Sequence, residues 1–358
     1  MLALLLLCMR SVHAAPTSPF QWIRDIASGP PGQKIALDAK TYLIDAQYQL
    51  PSGTELRGAG TVPGRRTRIQ AVGQPYAACA GSAKVFRKGL LLGDDTFVGG
   101  FHFVGMETKR LDCLYAPVET PGCANSESRF IAAPNETQCG GDTGNSGHGV
   151  RNATVEDVTV EPFTTQNLFF MAPTKQGARV SSHVTARNLR SNGTWADGVN
   201  IHGEHANVLV EGCTVVDAED DSFAMWSIGV GLENVTFQNN RALHRKHPGR
   251  NCCFVNFGGL TSAFLDSYGE GCGLTPRDGV PPGSEGLVVF GSPASVTPPL
   301  FGGAWNSSSV SVVRNVTGTC AGRAAAAACP LCKFLAGYLY PDGFPGRTTC
   351  PSAQRDAR

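Results

Sequence analysis

Short strand-like segments recur along this chain and share one plan. Each is rich in β-branched and apolar residues, with a polar, Gly or Asn residue two positions after its start, and successive starts lie 30, 25 and 22 residues apart. The segments begin at Val155, Thr185, Val210 and Leu232, and again at Val312. Because a short strand cannot bury its own apolar face, coils of such strands stack and share a core. The pattern predicts a solenoid of strands whose apolar residues point inward at alternate positions.

Other folds fit the sequence less well. The chain has 43 Gly and 23 Pro but only 16% charged residues, a composition rich in turns and poor in long amphipathic helices. An α/β fold needs helical patterns of ten or more residues between strands, and residues 152–259 contain none. A β-sandwich would place its strands closer together, with hairpin turns. We therefore expect an all-β, parallel solenoid.

The first residues are typical of an export signal. Residues 2–9 form an apolar run, and Val12, His13 and Ala14 give a small-x-small cleavage site, which predicts a signal peptide over residues 1–14. No other stretch is long and apolar enough to span a bilayer. The net charge of +1 gives no strong field toward nucleic acid or an anionic membrane. We expect a protein that is secreted or held in the cell wall, with no nucleic-acid partner and no membrane insertion.

The cysteines and sequons are consistent with secretion. Of 13 cysteines, Cys8 would leave with the signal peptide, and the remaining 12 are an even number suited to disulfides. Six N-x-Ser/Thr sequons predict a glycoprotein, although some are expected to be chance matches. They begin at Asn135, Asn152, Asn192, Asn234, Asn306 and Asn315.

The chain divides into three predicted parts. Residues 15–320 form the solenoid and carry the catalytic residues, residues 321–358 form an irregular tail, and the signal peptide precedes both. A Cys- and Gly-rich loop near residues 106–150 is expected to wall the binding groove. The cysteines at the start of and within the tail favour disulfides over zinc in an oxidising compartment. They are Cys320, Cys329, Cys332 and Cys350.

Acidic residues one coil apart carry the predicted chemistry. Asp197 lies in the sequence WADGVNIHG, and Asp220 and Asp221 follow it by 23 and 24 residues in EDDSFAMWS. Coils about 4.8 Å apart would make these carboxylates neighbours on one face. Crowded carboxylates raise one another's proton affinity, so one can stay protonated while another is ionised, as glycoside cleavage requires. Because neighbouring strand residues point to opposite faces, Asp220 and Asp221 share a site only at a bend, bulge or strand end.

Each of these motifs also has a structural interpretation. Asp-Gly pairs and Asp-Asp pairs are common in solvated turns, but three acids beside Asn200, His202 and Trp226 favour catalysis. Trp195 and Trp226 are candidate stacking platforms for sugar rings, or core residues. His244 begins a basic cluster that would bind an acidic sugar or form a solvated loop.

These motifs resemble those of glycoside hydrolase family 87, which contains α-1,3-glucanases and mycodextranases. The similarity is clearest over residues 192–317, where ADGVNIHG and DAEDDSFAMWS match the central family motif and NCCFVNFGG and SEGLVVF match flanking coils. It continues more weakly from about residue 34, and LPSGTELRGAG resembles the opening coil of pectin-lyase-like proteins.

The resemblance implies a right-handed parallel β-helix and an inverting hydrolase that cuts within chains of α-1,3-glucan or mixed α-1,3/α-1,4-glucan. Matched residue by residue, the family's three catalytic aspartates fall on Asp197, Asp220 and Asp221. By analogy with polygalacturonases, Asp220 would be the general acid and the other two would activate water. Asn200 and His202 also match family positions and would bind the sugar or hold an aspartate. One departure is Ala218-Glu219, where the family has Thr-Gly.

Two further hypotheses remain open at this stage. One is a pectin-type hydrolase or lyase, for which calcium at the aspartates is conceivable. The other is a non-catalytic, glycan-binding solenoid on the cell surface. Hydrolysis by aspartates needs no cofactor and no metal at the chemical step, and the sequence contains no phosphate loop, dinucleotide fingerprint or paired-His zinc motif. We expect a monomer whose partner is a polysaccharide.

Overall fold

Parallel strands stacked in successive coils make up the fold in the computed structural model. The structure describes residues 18–72, 89–105, 131–132, 149–161, 168–171, 181–194, 197–203, 205–218, 221–227, 232–246, 252–273, 288–290, 310–320, 333–334 and 347–349. Within these ranges the strands form three rows, and each coil before the last strand, β26, adds one strand, or part of a longer strand, to each row.

The first row contains the strands that begin each coil. They are β1 (Lys34–Leu37), β4 (Glu55–Gly58), β7 (Phe97–Val104), β9 (Thr154–Glu161), β11 (Ser181–Arg187), β14 (His205–Glu211), β17 (Glu233–Gln238), β20 (Thr261–Leu265), β23 (Val310–Arg314) and β26 (Arg347–Thr349). Strands β7 and β9 run on into the second row, since each pairs with strands of both rows.

The second and third rows complete each coil. The second row contains β2 (Thr41–Ile44), β5 (Arg68–Ala71), β12 (Arg190–Thr194), β15 (Thr214–Ala218), β18 (Arg241–Leu243), β21 (Tyr268–Cys272) and β24 (Thr317–Cys320). The third row contains β3 (Gln47–Gln49), β6 (Gly89–Leu91), β8 (Ile131–Ala132), β10 (Leu168–Met171), β13 (Val199–Gly203), β16 (Phe223–Ser227), β19 (Phe254–Phe257), β22 (Val288–Phe290) and β25 (Lys333–Phe334). The predicted all-β parallel β-helix is confirmed.

Aromatic side chains stack along the interior from coil to coil. The ring of Phe223 lies over that of Phe254 at 5.4 Å, and Phe237 lies over Phe264 at the same distance. Edge contacts at 5.7 and 5.8 Å join the two stacks. In-register parallel pairing produces this order, because it places equivalent inward positions of successive coils directly above one another.

Asparagine and aspartate residues occupy the corners between strands. Asn207, Asn234 and Asp266 have positive φ, a conformation that Asn and Asp adopt more readily than other side chains. Their side chains also join coils, since Asn234 Nδ2 donates to Asn207 Oδ1 at 2.7 Å and Asn315 Nδ2 donates to Asp266 Oδ1 at 2.8 Å. Three of the predicted sequons, at Asn152, Asn234 and Asn315, therefore begin at corner residues whose side-chain amides already donate a hydrogen bond, and their glycosylation stays a prediction.

One helix lies at the N-terminal end of the described chain. In α1 (Gln21–Ser28), Ile23 and Ile26 are buried, and Trp22 Nε1 donates to the carbonyl of Leu43 at 2.8 Å. The helix thus covers apolar surface on the first coil. The predicted signal peptide lies outside the described residues. No helix in the described part of the chain is long and apolar enough to cross a membrane.

Two strands extend the pairing beyond residue 320. Strand β25 pairs with β22, and β26 pairs with β23, both in the parallel sense. The sequence predicted an irregular tail here because the alanine-rich run and closely spaced cysteines obscure the repeat. The other residues of 321–358 lie outside the described residues, as does the predicted groove loop apart from β8 and residues 149–150.

The described cysteines include one disulfide and one buried thiol. Cys253 is bonded to Cys272, and Cys252 beside it is also buried. The Cys213 sulfur lies 3.4 Å from the carbonyl of Glu211, and burial raises the pKa of this thiol to about 12. The sequence predicts disulfides among 12 cysteines, and in the described part of the chain Cys213 is unbonded.

Candidate active site

Asp197 and Asp221 lie above one another at the start of the third row. Val199 of β13 is the register partner of Phe223 of β16, and each aspartate precedes its strand residue by two positions. The backbone amide of Asp221 donates to Asp197 Oδ1 at 3.2 Å, and the amide of Gly198 donates to the carbonyl of Asp221 at 2.9 Å. Parallel stacking therefore brings together two residues that are 24 positions apart.

Both aspartates are withdrawn from bulk solvent. Asp197 is 5% exposed and Asp221 is 6% exposed, whereas acids in solvated turns remain open to water. The solvated-turn interpretation of these two residues is therefore wrong. A recessed carboxylate responds strongly to nearby donors and charges, because the surrounding dielectric is low.

Gly198 is required by close packing inside the corner. A Cβ atom at this position would lie 2.4 Å from Val215 Cγ1 and 2.8 Å from the carbonyl oxygen of Ser222. Any side chain here would collide with the interior and displace the chain next to Asp197. The Asp-Gly pair thus reflects a contact between the glycine and the core of the solenoid.

Asn200 holds the second oxygen of Asp197. Its Nδ2 atom donates to Asp197 Oδ2, so each carboxylate oxygen of Asp197 accepts a hydrogen bond from a different partner. An ionised carboxylate is acceptor-only, and this arrangement suits it. The side chain of Asn200 is buried, and among the described residues its Oδ1 atom has no hydrogen-bond partner. Asn200 is thus a side chain that fixes an acid and retains one free acceptor.

The other predicted site residues are described to different extents. His202 and Trp226 are register partners on β13 and β16, which places their backbones on adjacent coils close to the aspartates. Trp195 and Asp220 lie outside the described residues, as does Glu219. The catalytic and substrate-binding roles of all these residues stay predictions.

His244 lies inside the solenoid next to the aspartates. It is 2% exposed, and its Nε2 atom is 3.0 Å from Ser222 Oγ and 3.2 Å from the carbonyl oxygen of Cys252. Burial lowers the pKa of the imidazole, which keeps the ring neutral near pH 7. Arg245 and Lys246 are exposed, so the predicted solvated loop begins only after His244.

Sequence reasoning missed the part played by Ser222 in this arrangement. Ser222 is fully buried, follows Asp221 directly, and its amide donates to the Cys252 carbonyl at 3.0 Å. A serine after two acids in the sequence indicates only a turn. Its hydrogen bond with a histidine 22 residues later is set by the length of the intervening coil.

Fold and site together define a class of protein: a parallel β-helix with carboxylates stacked on adjacent coils at a strand edge. A family model described as "Alpha-1,3-glucanase catalytic domain D2" matches residues 137–282, a segment that includes all the predicted catalytic residues. The predicted resemblance to α-1,3-glucanases is therefore confirmed for this segment.

Solved structures of other proteins have a similar fold. The catalytic domain of a GH87 α-1,3-glucanase in complex with tetrasaccharides superimposes with a TM-score of 0.52 at 19% identity, covering 85% of this chain and 44% of that one. A complex with nigerose gives 0.51 at 18% identity, with the same coverage of 85% and 44%. A hyperthermoactive exopolygalacturonase from Thermotoga maritima gives 0.45 at 13% identity, covering 83% of this chain and 76% of that one. No curated protein gave a significant match.

The chain spans less than half the length of the GH87 structures that it matches. Three of those structures carry alanine in place of an aspartate. One of the substituted aspartates comes first in the sequence of those proteins. The other two are adjacent residues that follow it by 23 and 24 positions.

Proposed function

We propose that this protein is a secreted polysaccharide hydrolase that cleaves α-1,3-glucan, or a mixed α-1,3/α-1,4-glucan, at internal bonds with inversion. The observation that carries the proposal is the stacking of Asp197 on Asp221, with the amide of one donating to the carboxylate of the other at 3.2 Å. Recessed carboxylates on adjacent coils provide the acid and base chemistry that glycosidic bonds require.

Spacing along the chain supports the same three acids. Asp220 and Asp221 follow Asp197 by 23 and 24 residues, which are the intervals between the aspartates substituted in the GH87 structures. Those proteins were solved with nigerose and with tetrasaccharides, so short α-glucan chains are the first ligands to test. The segment that matches the α-1,3-glucanase family model contains all three acids.

In the proposed reaction, Asp220 is the general acid and protonates the oxygen of the leaving sugar. Asp197 and Asp221 take a proton from a water molecule, whose oxygen attacks the anomeric carbon on the face opposite the leaving group. The donors from Asn200 and from the Asp221 amide favour the ionised form of Asp197, which is the form that can accept this proton. One water is consumed, one glycosidic bond breaks, and the new reducing end has the β configuration.

We assign sugar binding to residues near the start of the third-row strands, where Asp197 and Asp221 lie. The Oδ1 atom of Asn200 is buried, so we assign Asn200 the role of holding Asp197. His202 follows two positions along the same strand and is the proposed sugar contact. Trp195 and Trp226 would stack against sugar rings, as aromatic side chains do in carbohydrate sites.

We propose an extracellular or cell-wall location and a monomeric protein. The Cys253–Cys272 disulfide supports an oxidising compartment.

A panel of four glycans tests the proposal. The purified protein is incubated with α-1,3-glucan, nigeran, dextran and polygalacturonate, and the anomers of the products are followed by NMR. We expect cleavage of α-1,3-glucan or nigeran with initial release of β-anomers. Release of α-anomers would rule out inversion. Cleavage of polygalacturonate alone, or dependence on calcium, would support a pectinolytic enzyme. Binding without cleavage would support a glycan-binding solenoid.

A further inference from the structure

We infer that His244 is a positioning residue that fixes Asp221 against Asp197 from inside the solenoid and makes no contact with the sugar. This inference rests on the proposed function, because it assigns His244 a role in that same site. It departs from the prediction that His244 binds substrate. The supporting features are the burial of the ring and its hydrogen bonds to Ser222, which follows Asp221, and to Cys252 of the next coil.

The ring of His244 contacts the residue that follows Asp221. Its Nε2 atom lies 3.0 Å from Ser222 Oγ, and Ser222 is fully buried. Asp221 therefore directly precedes a residue that is held by a single, almost fully buried side chain.

A second partner of the ring comes from the next coil. The carbonyl oxygen of Cys252 lies 3.2 Å from Nε2 and also accepts the amide of Ser222 at 3.0 Å. A carbonyl oxygen can only accept, so Nε2 carries the proton and donates it. This tautomer sets the orientation of the ring between Ser222 and Cys252, and with it the path of the chain through Asp221.

The backbone of His244 is also fixed in place. Its amide donates to the carbonyl of Glu270 at 2.8 Å. Gly271 packs so closely that a Cβ atom there would lie 2.2 Å from the His244 carbonyl oxygen. A side chain held at both its backbone and its ring is suited to positioning a neighbouring carboxylate. It is poorly suited to swinging out to meet a sugar.

The charged groups around His244 lie toward the surface. Asp217 accepts hydrogen bonds from the amides of Arg245 and Lys246 at 2.7 and 2.9 Å, and Arg245 Nε lies 3.6 Å from Glu270 Oε1. Among the described residues, Asp221 directly precedes Ser222, whose hydroxyl contacts the ring. Burial outweighs the pull of Asp217 and lowers the pKa of His244, so the neutral, donating ring is the form present near pH 7.

Kinetics of His244→Leu and His244→Gln test the inference, with Asn240→Ala as matched control. Asn240 is another fully buried polar side chain that joins two coils, donating to the Val210 carbonyl at 2.9 Å and accepting from the Cys213 amide at 2.8 Å. On a soluble α-1,3-gluco-oligosaccharide we expect His244→Leu to lower kcat on the order of 100-fold with little change in KM, because a small displacement of a catalytic group has this effect. Glutamine keeps an N–H donor and should restore part of the loss, while Asn240→Ala should leave kcat near wild type.

A rise in KM with kcat unchanged in His244→Leu would instead show a sugar contact and overturn the inference, as would wild-type kinetics.

Amide hydrogen exchange of the peptide containing Asp221 and Ser222 provides a readout that does not depend on activity. Faster exchange in His244→Leu than in Asn240→Ala supports the positioning role, and equal exchange overturns it. Should His244→Leu fail to fold, the comparison of His244→Gln with Asn240→Ala decides in the same way. A wild-type protein that cleaves no α-glucan would refute the proposed function, while the exchange result would still judge the role of His244.

Discussion

Two consecutive coils of this solenoid close the same corner with different chemistry. At the corner beside Asp221, Ser222 just before β16 is linked to His244 just after β18 by a hydrogen bond of 3.0 Å. In the next coil, Cys253 at the start of β19 is linked to Cys272 at the end of β21 by a disulfide. The register of β16 with β19 and of β18 with β21 makes these two links equivalent in position.

The difference shows that the architecture of this corner does not dictate how it is closed. A covalent link and a hydrogen-bonded link both fit between the same two strand ends. The coil next to the acids has the link that includes a titratable ring and a hydroxyl, while the coil beyond it has the inert one. We therefore expect changes in the first coil to alter chemistry and changes in the second to alter stability.

The largest effect is expected from the two acids next to the hydrogen-bonded corner. Asp221→Asn and Asp197→Asn each remove a carboxylate while preserving the shape of the side chain. We expect kcat on α-1,3-glucan to fall on the order of 10²–10⁴-fold, the usual contribution of a general acid or base. Thermal unfolding should show that the fold is retained.

Asp266→Asn is the matched control for these variants. Asp266 lies at an exposed corner with φ of 49°, which asparagine also adopts readily. Wild-type activity is expected there. Full activity in both Asp221→Asn and Asp197→Asn would remove the catalytic assignment and leave only the fold.

Removing the disulfide of the second coil is expected to lower stability clearly and to change activity little. Cys253 and Cys272 are 19 residues apart, so their disulfide restricts a loop of the unfolded chain and contributes about 3 kcal/mol. Replacing both by alanine should lower the free energy of unfolding by about that amount, as measured with denaturant. Below the unfolding transition, kcat should stay close to wild type. A loss of kcat as large as that of the aspartate variants would show that the two coils are not separate in role.

The smallest effect is expected from the pH dependence of stability. Burial lowers the pKa of His244 below its ordinary value of 6.5, so below about that pH the unfolded chain binds a proton that the folded chain resists. The free energy of unfolding should therefore fall as the pH falls, by up to about 2 kcal/mol at about pH 5. His244→Gln does not titrate and should lose correspondingly less stability. Denaturant unfolding at about pH 7.5 and about pH 5 measures the difference, and equal losses in the two proteins would show that this ring is not the cause.

Much of the fold was predictable because its repeat is local. The alternation of apolar residues in segments such as those beginning at Val155 and Val210 reports strands, and their intervals report the length of a coil. The same interval predicted that Asp197 would stack on a residue about 24 positions later. Strands β25 and β26 were not predicted, because the sequence that leads into them has lost the repeat.

The sequence by itself determined that strands would stack in coils and that acids one coil apart would meet, because parallel stacking in register depends only on the number of residues per turn. Only the tertiary structure decided which partners complete the site. The contacts of Asn200 with Asp197 and of His244 with Ser222 and Cys252 depend on which way each side chain turns at a corner. That direction depends on how neighbouring coils pack, as the close contact at Gly198 shows. The periodicity of the sequence does not predict it.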